Sequence, residues 1–338
     1  MQRIPLTSDA VTFHGRIVPE GEGLWLGWTN TGISFRFEGR HVAFRFALPP
    51  AGQVPYVGIL VDEEPRRMLP VEEGRLTLEI PLHSPGEHRI RLIKMTEVLD
   101  DISLYLGGVA LDDGARLLPP PPLPCRRLEF IGDSMTCGFG NLSAGPQEPF
   151  SPTTEDSTQT YAALTSRHFG ADTRYLCRSG RGIISDCEGS RAQPVPRWFF
   201  ETSLTHPQPW DFSSWQPDVA VINLGTNDRN GGVSQEEFTA GAVAFLRRIR
   251  GVYPNARLLW MYGLMDEDFI PAVKEAVETV RAEDPLVDLL LVPSIYPHPE
   301  EQGACNHPNL AAHARAARAL ITKIAKQTGW AARPSFWP

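Results

Sequence analysis

The chain has 338 residues, long enough for two hydrophobic cores, since single cores stop growing at roughly 250–300 residues. Its formal net charge of −8 and pI near 5.6 argue against a nucleic-acid partner, which needs a concentrated basic surface to release counterions. No apolar run is long enough to span a bilayer, and Met1–Arg16 lacks the charged start, apolar stretch and cleavage site of a secretory signal, so neither a membrane nor an export route is expected.

Up to about residue 110 the pattern alternates with a period of two, as strands with one buried face require. Ile33, Phe35 and Phe37 point one way in "GISFRFEG", Val42, Phe44 and Phe46 in "HVAFRFAL", Leu76, Leu78 and Ile80 in "RLTLEI", and Ile90 and Leu92 in "EHRIRLI". Gly39, Gly74 and Pro85-Gly86 punctuate the runs, which predicts an antiparallel β-sandwich or jelly roll over 1–118. Pro119–Pro122 and Pro124 then favour an extended polyproline connector, placed at 119–126.

From 127 to 338 the period changes. "LEFIG", "TRYLC", "DVAVINLG", "ARLLWMYG" and "VDLLLVP" are short apolar runs separated by segments of helical period. The clearest is Ser234–Pro254, with Ser234 and Glu237 at capping-box spacing and Phe238, Phe245, Leu246 and Ile249 as an apolar stripe. Tyr161–Phe169, Phe269–Ala282 and Leu310–Thr328 are further predicted helices. Apolar strands alternating with helices imply a parallel sheet covered on both faces, whose sites form beyond the carboxyl ends of the strands.

Four short stretches fall at such ends. "FIGDSMT" carries Ser134 just past the first apolar strand, and Gly-Asp-Ser alone is compatible with an ordinary turn. A serine hydroxyl needs a nearby base to act as a nucleophile, and His307 in "CNHPNLAAHARA" stands directly before the last helix, where Asn309 can cap the first turn. "INLGTND" ends another strand with Asn227, an amide donor, and "CRSGRGII" supplies Gly180 and Gly182, where backbone N–H groups can approach a ligand closely. Acyl transfer places negative charge on a carbonyl oxygen and needs donors aimed at it, so the four stretches have complementary roles in one reaction.

"GDSMT", the glycine of "SGRGI", the asparagine of "GTND" and the histidine of "NHP" resemble, in order, the four blocks of the SGNH or GDSL hydrolases. With "GRIVPEGEGLWLGWTNTGISFRFEG", "EHRIRLIKMTE" and "EFIGDSMTCGFGN", the chain resembles carbohydrate esterase family 2 over nearly its whole length. The resemblance implies an all-β jelly-roll domain followed by an α/β/α, flavodoxin-like SGNH domain that removes acetyl groups from sugars and xylan fragments. It also implies that Ser134 is the nucleophile and His307 the base, that Ser134 N–H, Gly180 N–H and the Asn227 amide form the oxyanion hole, and that no metal or organic cofactor is needed. The site differs from a G-x-S-x-G elbow, because Met135 and Thr136 follow the serine. Relatives commonly carry an aspartate two or three residues before the histidine; here those positions are Cys305 and Ala304. A backbone carbonyl, or a carboxylate from elsewhere, must then orient His307, or activity is reduced.

Asp133 is a further candidate for substrate contact. The stretch 197–215 is dense in aromatics, and Trp198, Trp210 and Trp215 are candidates for stacking on sugar rings or for packing; Trp25 and Trp28 read as core. Five cysteines, an odd number without paired spacing, suit free thiols in a reducing compartment, which predicts a cytoplasmic protein. Two other functions stay open: a carbohydrate-binding protein whose hydrolase domain has lost its chemistry, and an esterase or thioesterase for a non-sugar acyl donor. The sugar, the acetylated position and the oligomeric state are not encoded legibly.

Overall fold

The computed structural model describes residues 1–47, 54–97 and 103–334. The chain divides into two compact units, Met1–Leu123 with Thr202–Gln208, and Pro124–Glu201 with Pro209–Pro338. Residues 335–338, assigned from sequence to the second domain, lie outside the described residues.

The first unit contains β1 (Gln2–Ile4), β2 (Thr12–His14), β3 (Ile17–Glu20), β4 (Gly23–Leu26), β5 (Gly32–Ala47), β6 (Tyr56–Val61), β7 (Arg67–Pro70), β8 (Thr77–Lys94), β9 (Leu104–Leu111) and β10 (Arg116–Leu118). Every pairing among them is antiparallel, and the main path runs β3-β4-β9-β5-β8-β6-β7. The long strands β5 and β8 carry the unit, and their register shifts between Gly39 and His41, as extra residues in a ladder require. Ile33, Phe35, Phe37, Val42, Phe44, Phe46, Leu78, Ile80, Ile90 and Leu92 lie together in one core, so the alternation in the sequence reports a buried face. Leu76 departs from it: it precedes β8 and is exposed, because the strand period does not begin until Thr77.

The segment Thr202–Gln208 joins this unit although it lies far along the chain. The buried Trp28 donates its indole N–H to the Thr202 carbonyl at 2.8 Å, and Trp25 stacks on His206 with ring centroids 4.1 Å apart. Trp28 is therefore core, as expected, whereas Trp25 keeps part of its surface exposed and lies outside the buried core.

The second unit holds β11 (Arg127–Gly132), α1 (Ser134–Cys137), α2 (Tyr161–Phe169), β12 (Asp172–Cys177), α3 (Val195–Trp198), β13 (Val219–Asn223), α4 (Thr226–Asn230), α5 (Gln235–Val252), β14 (Arg257–Tyr262), α6 (Ile270–Arg281), β15 (Val287–Leu291) and α7 (Leu310–Thr328). Its five strands are all parallel, in the order β12-β11-β13-β14-β15, the flavodoxin-like 2-1-3-4-5 arrangement. Alternate strand residues serve opposite faces: Leu128, Phe130, Val219, Val221, Leu259 and Met261 share a core with residues of α2 and α7, while Trp260 meets Phe238 of α5. The helix ends follow local chemistry. Ser234 accepts the Glu237 N–H at the start of α5, and Asn309 accepts the N–H groups of Ala311 and Ala312 at the start of α7, each satisfying a donor that the helix itself leaves orphaned. Among the described residues no helix is long and apolar enough to cross a membrane.

Strand order fixes the rim. β12, β11 and β13 are neighbours, so the turns after their carboxyl ends, which carry Gly180, Ser134 and Asn227, open side by side.

Candidate active site

β11 ends at Gly132, and the chain turns at once into the single-turn helix α1. A Cβ on Gly132 would sit 2.0 Å from the Thr136 hydroxyl, so only glycine lets the turn close this tightly. Asp133 caps α1, its carboxylate accepting the Met135 N–H at 3.1 Å. Beneath the turn, the Thr136 hydroxyl and the Tyr161 phenol lie 2.7 Å apart, and Asn223 donates to the same phenol at 3.3 Å. This buried network holds Ser134 at the mouth of the turn, where it keeps 6 % of its surface.

His307 arrives from the loop before α7. Its Nε2 is 2.9 Å from Ser134 Oγ and its Nδ1 is 3.1 Å from the carbonyl oxygen of Cys305. A carbonyl only accepts, so Nδ1 carries the proton, Nε2 keeps its lone pair, and the serine hydroxyl donates to it. The orienting group is thus main chain, the first of the alternatives left open by the missing aspartate. Cys305 (φ +52°) and Asn306 (φ +60°) both adopt left-handed backbone conformations, which cost a non-glycine residue about 1 kcal/mol or more each and persist where the surroundings enforce them. The Gly140 carbonyl accepts the Ala304 N–H and the Glu148 carbonyl the Cys305 N–H, tying that loop to the one after α1. Phe139 packs on the imidazole with centroids 4.4 Å apart, and Phe150 stacks on Phe139 at 4.0 Å. Burial lowers the His307 pKa to about 4, against the opposing pull of the Cys305 and Ala304 backbone, so the ring is neutral at neutral pH.

Donors gather on the other side of the serine. The Ser134 and Gly180 N–H groups carry no hydrogen bond to another described residue. The Asn227 amide lies beside them on α4, donating to Asp133 Oδ2 at 3.2 Å and to the Arg181 carbonyl at 3.0 Å. Asp228 is fully buried and accepts the N–H groups of Ile183, Ile184 and Ser185. Burial raises its pKa to about 6, opposed by those three donors, and it is an anion at neutral pH.

Ser134, His307, Gly180 and Asn227 are thus gathered on one rim. The other candidates are engaged elsewhere. Asp133 is fully buried and engaged as a helix cap and amide partner. Trp198 is 1 % exposed and has no face open to a sugar. Trp215 donates to Asp172 at the amino end of β12, the end of the sheet opposite Ser134, and Trp210 shares the Arg174 guanidinium with it at 4.8 and 4.3 Å. The aromatic density of this insertion serves packing, since Phe199, Phe200, Phe212 and Tyr253 form a continuous cluster there. Composition alone does not say which face of a ring is covered. Phe139, Phe150 and Asp228 belong to the site without having been singled out; only Asp228 had a signal, standing next to Asn227 in "GTND".

Residues 130–331 match the GDSL-like Lipase/Acylhydrolase family and residues 13–121 match Carbohydrate esterase 2 N-terminal. The chain is similar to the Cellulase/esterase CelE of Acetivibrio thermocellus, 28% identical over 345 residues covering 96% of this chain and 40% of that protein. An Acetylxylan esterase / glucomannan deacetylase of Cellvibrio japonicus is 30% identical over 204 residues, 56% of each. The chain therefore spans about half or less of the length of these two relatives. Among solved structures, a family two carbohydrate esterase from Clostridium thermocellum in complex with cellohexaose superposes with a TM-score of 0.86 at 26% identity, covering 95% of this chain and 99% of that one.

Proposed function

Since the chain belongs to the GDSL-like lipase/acylhydrolase family, with a carbohydrate esterase 2 N-terminal domain, we propose that it is a serine esterase that removes O-acetyl groups from carbohydrates. The observation that carries this reading is the 2.9 Å contact between Ser134 Oγ and His307 Nε2 beside the Ser134 and Gly180 N–H groups, which meet no acceptor among the described residues. The acetylxylan, glucomannan and cellohexaose named for its relatives support a β-linked sugar as the substrate class.

In this mechanism the neutral imidazole takes the serine proton as Oγ forms a bond to the acetyl carbonyl carbon. The carbonyl oxygen becomes an oxyanion and is met by the N–H groups of Ser134 and Gly180 and by the Asn227 amide. Both amide protons of Asn227 already have acceptors, and the longer contact, to Asp133, is the one to be shared with the oxyanion. The imidazolium then protonates the sugar oxygen as the C–O bond breaks, leaving an acetyl-serine. A water molecule, deprotonated by the same imidazole, repeats the sequence and releases acetate. Cys305 O holds the ring in the required tautomer throughout, though as a neutral acceptor it stabilises the imidazolium less than a carboxylate does.

Hydrolysis of p-nitrophenyl acetate and of an acetylated xylo-oligosaccharide tests the reading. Ser134→Ala and His307→Ala are each expected to lower kcat by more than roughly 10³-fold; full rates in either variant would remove the assignment. None of the five cysteines forms a disulfide among the described residues, which fits a cytoplasmic setting where short oligosaccharides, not polymer, are the substrate. Export of the protein together with high activity on polymeric acetylxylan would overturn that part.

A further inference from the structure

Resting on the esterase reading above, we propose that Asp228 is a positioning residue: it clamps the Gly180–Ser185 loop onto α4 and so aims the Gly180 N–H at the developing oxyanion. Its carboxylate takes the whole inner edge of that loop, with Oδ2 accepting the Ile183 N–H at 2.9 Å and Oδ1 accepting those of Ile184 and Ser185 at 2.7 and 3.1 Å. The preceding residue completes the grip, since Asn227 donates to the Arg181 carbonyl at 3.0 Å. One turn of α4 therefore holds the loop main chain at 181, 183, 184 and 185.

Gly182 lies at the centre of the clasp. A Cβ there would stand 2.2 to 2.6 Å from the three atoms of the Asp228 carboxyl group, so the contact exists only because this residue has no side chain. From the other side the Gly182 carbonyl accepts the Val195 N–H at 2.9 Å. Gly180 precedes this pinned section by one residue; its N–H meets no acceptor among the described residues, and its carbonyl accepts the Cys187 N–H at 2.9 Å, so its direction follows from the way the loop is pinned. Asp228 itself contacts neither Ser134 nor His307 among the described residues.

An N–H aimed at an oxyanion acts in the transition state and not on the bound ester. Loosening the clamp should therefore lower kcat and spare KM, a split that general loss of structure does not produce. Asp228→Asn keeps the shape but turns an N–H₂ group toward main-chain donors; Gly182→Ala attacks the same contact from the opposite partner. Each is expected to reduce kcat on p-nitrophenyl acetate by about 10²-fold, with KM changed by less than about twofold, and the double variant should lose little more than either single one. Hydrogen–deuterium exchange of the full chain should show faster exchange in Asp228→Asn confined to residues 180–186.

A folded Asp228→Asn protein with wild-type kcat, or with unchanged exchange in that segment, would overturn the clamp. If Asp228→Asn does not fold, Gly182→Ala carries the same two measurements. A wild-type protein inactive on every acyl ester would sink the esterase reading instead, and the exchange comparison would still decide whether Asp228 holds the loop.

Discussion

At the residue scale, the site depends on two ionisable groups whose environments pull them in opposite directions. Burial takes the His307 pKa down to about 4 and the Asp228 pKa up to about 6. In the proposed mechanism the base is competent above the first value and the clamp is anionic above the second. As pH falls from neutrality, kcat/KM should therefore drop once near 6, as Asp228 takes a proton, and again near 4, as the imidazole does. A single decline near 6.5, where an ordinary histidine titrates, with no second decline at lower pH, would contradict the His307 assignment. Cys305 gives a second check. Its carbonyl and not its exposed thiol meets the imidazole, so Cys305→Ala should leave kcat within about twofold of wild type. That Ser134, Gly180, Asn227 and His307 share one rim was legible because each stands in a short block with its own chemistry. The Cys305 carbonyl was not, since any residue supplies a carbonyl and only the backbone angles of Cys305 and Asn306 turn this one toward the ring.

At the scale of elements, periodicity carried most of the information. Helices α2 and α7 run Tyr161–Phe169 and Leu310–Thr328, the bounds the apolar period and the flanking Gly170 and Asn309 imply. Strand alternation located the β5 and β8 faces but not their pairing with β9, because register depends on contacts distant in sequence. Nor does the sequence announce that 202–208 leaves the second unit for the first. The link between β6 and β8 makes a measurable prediction. His88 on β8 meets the Asp62 carboxylate at 2.7 Å and the Ser84 carbonyl at 2.9 Å. Burial works against its charge, yet Asp62 and Ser84 outweigh it and the pKa is raised. The stabilisation is therefore fully present below pH 6.5 and is lost as pH rises through the raised value. Melting temperature should fall across that interval, and Asp62→Asn should flatten the fall; an unchanged slope in the variant would show that the pair does not contribute.

At the scale of the molecule, every side chain assigned to the reaction belongs to the second unit, while the first has a separate core. Phe35 is 1 % exposed in that core, and Phe35→Ala should cost about 3–5 kcal/mol of the first unit's stability. Measured below the resulting transition, kcat on p-nitrophenyl acetate should stay at the wild-type level; a parallel loss of kcat would show that the first unit takes part in the chemistry. The broad architecture was readable because the hydrophobic period switches from two to helical across the proline-rich stretch. The acidic total charge, by contrast, says nothing of the site, which is built around the buried carboxyl groups of Asp133 and Asp228 and one neutral ring.

The carbonyl that steers His307 has a consequence for inheritance. A carboxylate in that role disappears with one codon change, whereas a main-chain oxygen survives every amino-acid replacement that preserves the local path of the chain. Single-site libraries at the exposed positions 305 and 306 should consequently tolerate many side chains and be silenced chiefly by proline, by β-branched residues that resist the left-handed backbone, or by a shift in length, whereas the fully buried Ala304 should resist enlargement, so these two positions can drift in composition while their geometric duty persists.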